Sequence, residues 1–453
     1  MADAGTGAGA GAGAGAGTGA GAGTILIRGG RVVDPASARD GGFDVLVRDG
    51  KIAEVAPKVR AGADRTIDAR GLVVAPGLVD IHVHLREPGY ETKETIADGA
   101  RAAVAGGFTT VCCMPNTDPP LDTRAACEFV VGEGLRQGLA RVLPIGCVSK
   151  GRKGDELAEL ADLARGGAVA FSDDGSPVKT SVLLRRAVSY ARMLDRVIID
   201  HCEDLDLARG GLMHEGLVSL DLGMPGKPAA SEDLVVARDI SIAETEHAPI
   251  HIAHASTLGA LELVRQAKRR GVKVTCEVTP HHALLTDDEV RAFDASRHKM
   301  NPPLRSREHV EAILEGLRDG TVDAIASDHA PHTRDEKEVE WGLAPDGVIG
   351  LESTLPATLK LVDRGVIGLF RAIELLTLGP AVAIGLPKGT GTLAAGAPAD
   401  IAVLDLETRY PLESAVFRSR ARNTPFDGMT VRGRAVFTLV AGRVVLEPGG
   451  ATP

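Results

Sequence analysis

The chain has 453 residues, of which 44% are hydrophobic and 25% charged, a composition that supports a sizeable buried core. Acidic residues outnumber basic ones by 61 to 51, and the formal net charge of −10 disfavours nucleic acid and anionic membranes as partners. No apolar run is long enough to span a membrane, the amino terminus lacks a secretory pattern, and the six cysteines form no C-x-x-C pair. We therefore expect a cytoplasmic protein with reduced cysteines and no thiolate zinc site.

The two ends of the chain differ from its middle. Residues 1–23 are almost entirely Gly and Ala, which offer little apolar area to bury, and they are predicted to form a disordered tail. Over 24–75, short alternating segments are separated by glycine turns, as in β-strands, and the same texture returns over 389–450. These two stretches predict one small β-sandwich domain formed from both termini.

Residues 76–388 alternate between apolar strand candidates and amphipathic helix candidates. The eight strand candidates cover 78–82, 109–113, 142–145, 168–171, 197–200, 250–253, 272–275 and 322–326. Segments between them, such as 181–194 and 258–268, have apolar residues at helical spacing. Eight such alternations predict an α/β fold of the (β/α)8 TIM-barrel type, with an open doubly wound sheet as the competing arrangement.

Six histidine and aspartate residues end or follow these strand candidates. They are His82, His84, Asp174, His201, His254 and Asp328. In a closed parallel barrel the carboxyl ends of all strands surround one mouth, so we expect these side chains to converge. His82 and His84 alternate along an extended chain and can therefore face the same ion. Nitrogen and oxygen ligands without sulfur predict a divalent cation, with zinc the first choice.

Asp174 and Asp328 are expected to have additional roles in this centre. A carboxylate has two oxygens, so Asp174 could bridge two ions, and we expect one or two zinc ions, with two favoured. Such a pair would hold a water or hydroxide that is deprotonated near neutral pH. Asp328 is predicted to be a general acid/base that takes a proton from the attacking water and passes it to a leaving nitrogen.

Motifs between Thr24 and Gly442 together resemble one known family. They are His82-Val83-His84-Leu85-Arg86-Glu87-Pro88-Gly89, Gly106-Gly107-Phe108-Thr109-Thr110, Met114-Pro115-Asn116-Thr117, Phe171-Ser172-Asp173-Asp174-Gly175, Lys299-Met300-Asn301-Pro302-Pro303-Leu304-Arg305 and Ser327-Asp328-His329-Ala330-Pro331-His332. The set resembles the amidohydrolase superfamily and, more narrowly, class I dihydroorotases. This resemblance implies zinc-dependent, reversible cyclisation of N-carbamoyl-L-aspartate to (S)-dihydroorotate in de novo pyrimidine (UMP) biosynthesis.

The resemblance also assigns roles to individual residues. It implies metal ligands at the six positions named above, with Asp328 as the catalytic acid/base. The implied substrate contacts are His84, Arg86, Asn116, Asn301, His332, Asp346 and Gly347. Arg86, Asn116 and His332 would hold the substrate carboxylate, which suits the planar fork of Arg. Asp346 stands where the family usually has an aromatic residue, and its negative charge beside an anionic substrate is unexplained.

The remaining histidines and one charged segment have lesser expected roles. Residues 332–347 lack periodicity and are predicted to form a mobile lid over the site. His251 and His329 are expected to orient neighbouring ligands, and His281 and His282 to make structural hydrogen bonds. The histidines expected on the surface are His214, His247, His298 and His309.

Two alternative functions remain open. Hydantoinases and allantoinases share the fold and the histidine ligands of this superfamily. They carry a lysine modified to a carbamate at the end of strand four, however, where this chain has Asp174. The second alternative is a non-catalytic scaffold for aspartate transcarbamoylase, although a complete set of six ligands argues against it. We expect a homo-oligomer that binds a small anionic substrate and can form a complex with aspartate transcarbamoylase, without nucleic acid or membrane partners.

Overall fold

The computed structural model describes residues 23–449 of the chain. Residues 1–22 and 450–453 lie outside the described residues, and with them nearly all of the segment predicted to be a disordered tail. Among residues 23–449, no helix is both long and apolar enough to cross a membrane. The fold consists of two large sheets and the helices that pack on them.

Strands alternate with helices through the middle of the chain and dominate both ends. The strands are β1 (Ile25–Asp34), β2 (Arg39–Arg48), β3 (Lys51–Ala56), β4 (Arg65–Asp68), β5 (Val73–Pro76), β6 (Leu78–Val83), β7 (Phe108–Cys113), β8 (Arg141–Cys147), β9 (Ala170–Ser172), β10 (Ile198–Asp200), β11 (Met213–His214), β12 (Gly226–Lys227), β13 (Ile250–Ile252), β14 (Val274–Val278), β15 (Ala324–Ile325), β16 (Ile401–Pro411), β17 (Thr430–Val440) and β18 (Arg443–Leu446).

Most helices lie between the strands of the middle region. They are α1 (Ile96–Ala105), α2 (Arg124–Gln137), α3 (Leu160–Arg165), α4 (Ser181–Met193), α5 (Leu217–Leu222), α6 (Ala230–Glu246), α7 (Leu258–Arg269), α8 (Pro280–Leu284), α9 (Ala295–His298), α10 (Arg307–Asp319), α11 (Arg334–Lys337), α12 (Thr354–Asp363), α13 (Leu369–Leu376) and α14 (Leu378–Ala383). Short 3-10 helices cover Pro35–Ser37, Lys150–Arg152, Asp287–Ala292 and Ser414–Val416.

The barrel strands pair in parallel in the order β6-β7-β8-β9-β10-β13-β14-β15. The ring closes where Val83 forms a parallel bridge with His329 and the amide of His84 donates to the His329 carbonyl at 2.8 Å. Strands β6 and β7 are buried at every position, because helices cover them outside and side chains fill the barrel inside. The predicted barrel is confirmed, although its seventh strand runs over Val274–Val278 rather than 272–275.

Threonine residues begin several helices that follow barrel strands. Thr95, Thr180 and Thr257 are the N-caps of α1, α4 and α7, and each hydroxyl accepts from the amide three residues later. Such a cap pairs an amide that the helix itself leaves free, and it stabilises the helix by about 1 kcal/mol. The caps therefore fix where these helices begin and how much chain remains for the loops between each strand and its helix.

The second sheet is formed from both ends of the described chain. Its strand order is β18-β17-β16-β5-β1-β2-β3, and β4 pairs with β1. Ile27, Val45 and Ile401 are among the buried residues that form its own apolar cluster. The hydroxyl of Thr438 in β17 donates to the carbonyl of Val104 in α1 at 2.8 Å and joins this sheet to the barrel. The prediction that both termini contribute to one β domain is confirmed.

Candidate active site

All six predicted ligand residues lie at one end of the barrel. His82 belongs to β6 and His84 follows that strand directly. The other four lie within three residues after the ends of β9, β10, β13 and β15; they are Asp174, His201, His254 and Asp328. None of the six is more than 6% exposed. The convergence follows from the parallel barrel, because every strand ends at the same mouth.

Asp174 lies at the centre of the histidines. Its Oδ1 is 3.4 Å from His82 Nε2, 3.6 Å from His201 Nδ1 and 3.6 Å from His254 Nε2. Its Oδ2 is 3.5 Å from His84 Nε2. One carboxylate therefore faces four imidazoles that belong to three separate strand ends.

Asp328 lies on the other side of the first two histidines. Its Oδ1 is 3.1 Å from His84 Nε2 and 3.6 Å from His82 Nε2. Burial raises the pKa of Asp328, but the hydrogen bond from His84 and the charges of nearby histidines outweigh burial and bring the pKa below its usual range. The side chain is therefore a carboxylate that can accept a proton.

The buried polar atoms at the mouth fit a divalent cation. His82 Nε2 and Asp174 Oδ1 are buried and have no hydrogen-bond partner among residues 23–449. Ligand atoms within 4.8 Å of one another are offered by the triad His82, His84 and Asp328, and by the triad His82, Asp174 and His254. Atoms bound at about 2.1 Å to a tetrahedral ion are separated by about 3.4 Å, which is close to the separations between Asp174 and its neighbours.

The electrostatics of the mouth also favour a positive charge. Burial lowers the pKa of His82, but the carboxylates of Asp174 and Glu277 outweigh burial and raise it well above its usual value. Burial raises the pKa of Asp174, but the surrounding histidines bring it well below the usual range. A metal cation placed among these side chains would compensate the negative charge of the same carboxylates.

A third buried cluster is less suited to a metal. Asp200, Cys202 and Asp239 also offer ligand atoms within 4.8 Å of one another. The Arg238 guanidinium donates to Asp200 at 3.0 Å and to Asp239 at 2.7 Å. Both carboxyl groups are therefore already paired with one guanidinium.

Glu277 is a residue of this site that sequence reasoning missed. It lies in β14, is 1% exposed, and its Oε1 accepts from His82 Nδ1 at 2.6 Å. Because Nδ1 contacts Glu277, Nε2 is the atom of His82 that points towards Asp174. The predicted strand 272–275 ended before this residue; a glutamate within the otherwise apolar run Val274–Val278 was the available signal.

His251 and His329, which were both expected to orient neighbouring ligands, have different hydrogen-bond partners. His251 contacts Glu277 Oε2 at 3.3 Å and Thr275 at 2.8 Å, so it reaches His82 only through Glu277. His329 Nε2 donates to Glu94 at 2.7 Å, and its Nδ1 accepts from the amide of Gly350. His329 therefore fixes the segment that closes the barrel.

Three of the histidines expected on the surface are buried, and that prediction was wrong. His214, His298 and His309 are 5%, 9% and 7% exposed, whereas His247 is exposed. His309 Nδ1 accepts from the amide of Leu258 at 2.9 Å, which contributes to the start of α7. The expected structural hydrogen bond of His282 is confirmed, since its Nε2 donates to the Pro302 carbonyl at 2.9 Å.

All predicted substrate contacts open into one cavity of about 190 Å³. Its lining includes His84, Arg86, Asn116, Asp174, His201, His254, Asn301, Asp328, His332, Asp346 and Gly347. The predicted metal ligands and the predicted substrate contacts therefore share a space the size of a small metabolite. Of the six predicted ligands, only His82 does not line it; this residue lies behind, fully buried.

One wall of this cavity carries a buried positive charge. The Arg86 Nε donates to the Pro331 carbonyl at 3.0 Å, and its Nη2 lies 3.3 Å from His332 Nε2. Burial lowers the pKa of His332 to about 3, with the positive charges of Arg86 and Lys93 acting in the same direction. His332 is thus neutral beside a guanidinium that forms no ion pair within residues 23–449. The wall can accept a carboxylate.

Two amide side chains are held in defined orientations at the cavity. Asn116 Oδ1 accepts from His84 Nδ1 at 2.8 Å, which directs the Nε2 of His84 towards both aspartates. Asn301 Oδ1 accepts from Lys227 Nζ at 2.8 Å, and its Nδ2 lies 3.1 Å from His201 Nε2. Both residues are predicted substrate contacts, and both line the cavity.

The fold and the site define the class of the protein. An eight-stranded parallel barrel with buried histidines and aspartates at its mouth is the arrangement of metal-dependent amidohydrolases, and residues 362–446 match the model of the amidohydrolase family. Residues 71–259 match the model described as dihydro-orotase-like. The chain belongs to the dihydroorotase family, whose members are hydrolases that act on cyclic amides.

Two curated relatives support this assignment over nearly their full length. The dihydroorotase of Geobacter sp. (strain M21) is 49% identical over 426 residues, which cover 94% of this chain and 100% of the relative. The dihydroorotase of Anaeromyxobacter sp. (strain K) is 53% identical over 429 residues, which cover 94% of this chain and 99% of the relative.

Solved structures share the fold at lower identity. The L-hydantoinase of Arthrobacter aurescens superposes with a TM-score of 0.83 at 28% identity and covers 94% of this chain and 97% of its own. The dihydropyrimidinase of Brevibacillus agri NCHU1002 has a TM-score of 0.80 at 22% identity and covers 94% and 95%. The second of these structures supports the fold alone. The sequence identity of this chain to the hydantoinase is lower than its identity to the two dihydroorotases.

Proposed function

We propose that this chain catalyses the reversible cyclisation of N-carbamoyl-L-aspartate to (S)-dihydroorotate, with release of water, in pyrimidine biosynthesis. One observation carries the proposal: Asp174, Asp328 and the Arg86 guanidinium line the same cavity of about 190 Å³. A reacting amide and a carboxylate must both fit into such a space, and dihydroorotate carries both groups. The similarity to dihydroorotases, at 49% and 53% identity over 94% of this chain, supports the same substrate.

The metal proposed for this centre is zinc, with two ions favoured over one. The residues that would hold it are His82, His84, Asp174, His201, His254 and Asp328. The two triads that share His82 support this donor set, because both combine imidazole nitrogens with a carboxylate. When bound, a divalent cation supplies Lewis acidity to the reacting carbonyl.

The residues of the chain supply orientation and proton transfer. Arg86, Asn116 and His332 bind the substrate carboxylate, and Asn301 contacts the ring. Backbone groups of Asp346 and Gly347 contact the substrate beside His332, whose Nε2 lies 2.9 Å from the Asp346 carbonyl oxygen. In the hydrolytic direction, Asp328 accepts a proton as water adds to the ring carbonyl, and it delivers that proton to the nitrogen as the C–N bond breaks. In cyclisation the same proton moves in reverse.

The proposal extends to the setting of the enzyme. We place it in the cytoplasm as a homo-oligomer that can form a complex with aspartate transcarbamoylase. The enzymes to which the chain is similar support a metabolic role, and the net charge of −10 argues against nucleic acid as a partner.

A direct assay tests this function. Purified protein with its metal content quantified should hydrolyse dihydroorotate and cyclise carbamoyl-aspartate, whereas hydantoin and allantoin should react far more slowly. Faster turnover of hydantoin or allantoin would assign the chain to the alternative activity. No turnover of any of these compounds at full metal occupancy would favour the scaffold alternative.

Replacing Arg86 with Met should mainly weaken substrate binding. The guanidinium offers a charge-assisted, two-pronged contact to a carboxylate, and its loss should raise the Michaelis constant about 10–100-fold. Steady-state kinetics in both directions measure this effect. The matched control is Arg364→Met, since Arg364 is exposed at the carboxyl end of α12. An unchanged Michaelis constant in the Arg86 variant would remove Arg86 from the substrate contacts.

Replacing Glu277 with Gln should weaken metal binding. Gln keeps the shape but accepts more weakly from His82 Nδ1, and such losses behind a metal ligand reduce affinity roughly 10–100-fold. Competition with a chelator measures the affinity without any activity assay. Glu156→Gln, at an exposed position, serves as the control. Equal affinities for the Glu277 variant and the control would show that Glu277 does not position His82.

A further inference from the structure

Two buried lysines lie beneath the chain segment 341–347, next to the candidate active site. Lys337 is 2% exposed and Lys299 is 6% exposed. Lys337 Nζ donates to the carbonyls of Lys299 at 3.1 Å, Pro345 at 2.9 Å and Gly347 at 3.0 Å. Lys299 Nζ donates to the carbonyls of Trp341 and Ala344. Neither ammonium forms an ion pair with a carboxylate in the part of the chain that the structure describes.

The contacts of Lys337 require its charged form. Its nitrogen faces three carbonyl oxygens, which are acceptors, and an ammonium has three hydrogens to donate. A neutral amine would place its lone pair against one of these oxygens. Burial lowers the pKa of Lys337 to about 7, with the nearby Asp346 carboxylate acting in the opposite direction and Lys299 lowering it further. The protein therefore keeps a costly buried cation at this position.

Of the three residues whose carbonyls Lys337 contacts, Gly347 lines the cavity, and Lys299 and Pro345 lie close in the chain to residues on two of its walls. One wall contains Asn301, two residues after Lys299; the other contains Asp346 and Gly347. The amide of Gly347 also donates to the Lys299 carbonyl at 3.0 Å, so the two walls meet at Lys337. Gly347 has a φ of +128°, and a Cβ there would lie 2.7 Å from the Cβ of Ala330. At Gly347 this wall therefore consists of backbone alone. Its position depends on the groups that donate hydrogen bonds to its carbonyls.

We propose that Lys337 is a positioning residue that fixes these two walls, and that Lys337 and Lys299 together provide buried positive charge for binding an anionic substrate. The proposal rests on the proposed function, because the substrate it concerns is carbamoyl-aspartate or dihydroorotate. It also accounts for Asp346, whose charge beside an anionic substrate is otherwise unexplained. The Asp346 carboxylate favours the charged forms of both lysines.

The charge of the substrate provides a specific signature. Carbamoyl-aspartate is a dianion and dihydroorotate a monoanion, so a nearby cation attracts the first more strongly. Loss of the cation should therefore raise the Michaelis constant more for carbamoyl-aspartate than for dihydroorotate. If a residue only stabilised the fold, its replacement would lower the melting temperature but would not change the two Michaelis constants to different extents.

The test compares Lys337→Met, Lys337→Arg and Lys299→Met with the exposed control Lys388→Met. For Lys337→Met we expect the Michaelis constant for carbamoyl-aspartate to rise about tenfold, with a smaller rise for dihydroorotate and a smaller effect on kcat. Lys337→Arg keeps the charge and should restore much of the difference between the substrates. Lys299→Met removes the second charge and tests the same signature if Lys337→Met does not fold.

Amide hydrogen exchange of residues 338–348 tests the positioning role without any substrate. Exchange should accelerate in Lys337→Met and remain as in wild type in Lys388→Met. Unchanged exchange together with unchanged, or equally raised, Michaelis constants would overturn the proposal. If wild-type protein turns over neither substrate, the proposed function fails, and the exchange measurement still decides whether Lys337 holds the two walls.

Discussion

Replacing Asp328 with Asn is expected to lower turnover in both directions by about 10²–10⁴-fold, the usual contribution of a general acid or base. Asn has nearly the same shape, but it cannot accept the proton that must move between water and the ring nitrogen. Asp328 is suited to this step because it is a carboxylate that lines the cavity and lies 3.1 Å from His84 Nε2. Steady-state rates of cyclisation and ring opening, measured at matched metal content, give the effect.

The matched control for this variant is Asp195→Asn. Asp195 is exposed before the amino end of β10, at the opposite end of the barrel, and has a φ of +52°, a conformation that Asn adopts readily. The control should turn over like wild type. If Asp328→Asn with full metal occupancy retained the wild-type rate, proton transfer would have to be assigned to another group.

Replacing Asp174 with Asn is expected to remove most of the bound metal and, with it, the activity. The carboxylate faces four histidine nitrogens at 3.4–3.6 Å, so the substitution leaves the centre without its shared anion. Breaking one partner of a buried charge pair costs about 3–5 kcal/mol, which corresponds to about 10²–10⁴-fold in metal affinity. Equilibrium dialysis followed by elemental analysis measures this loss.

His247→Ala tests whether the loss is specific to the barrel mouth. His247 is an exposed histidine that follows α6, and its removal should leave the metal content as in wild type. Wild-type metal affinity in Asp174→Asn would show that the metal binds somewhere else in the chain.

The barrel and the six converging side chains could be predicted because they depend on local patterns. Each barrel strand is a short apolar run. Some of these runs are followed directly in the sequence by a candidate ligand, such as His201 or Asp328. A parallel barrel then brings such strand ends together whatever the details of packing. Site residues next to a strand end could therefore be predicted from the sequence.

Glu277 could not be placed in the same way. Apolar periodicity does not define where a strand stops, and a prediction that ended at residue 275 left Glu277 outside β14. The buried lysines were missed for another reason. Lys299 and Lys337 lie in charged, aperiodic sequence, and their burial depends on backbone carbonyls from distant residues. No pattern of side chains records such contacts.

The burial of His214 and His309 has a similar origin. They belong to segments outside the barrel strands, where the sequence resembles an exposed loop or helix. In the folded chain, however, their rings contact each other with centroids 5.1 Å apart. Contacts between segments almost a hundred residues apart in the sequence decide their exposure, and local composition does not reveal them.

Anomalous scattering at the zinc absorption edge, from crystals of the metal-loaded protein, shows where the metal binds. We expect one or two zinc peaks at the carboxyl end of the barrel, within bonding distance of Asp174 and the surrounding histidines. Zinc bound elsewhere, with no peak at this mouth in active protein, would contradict the proposed metal centre.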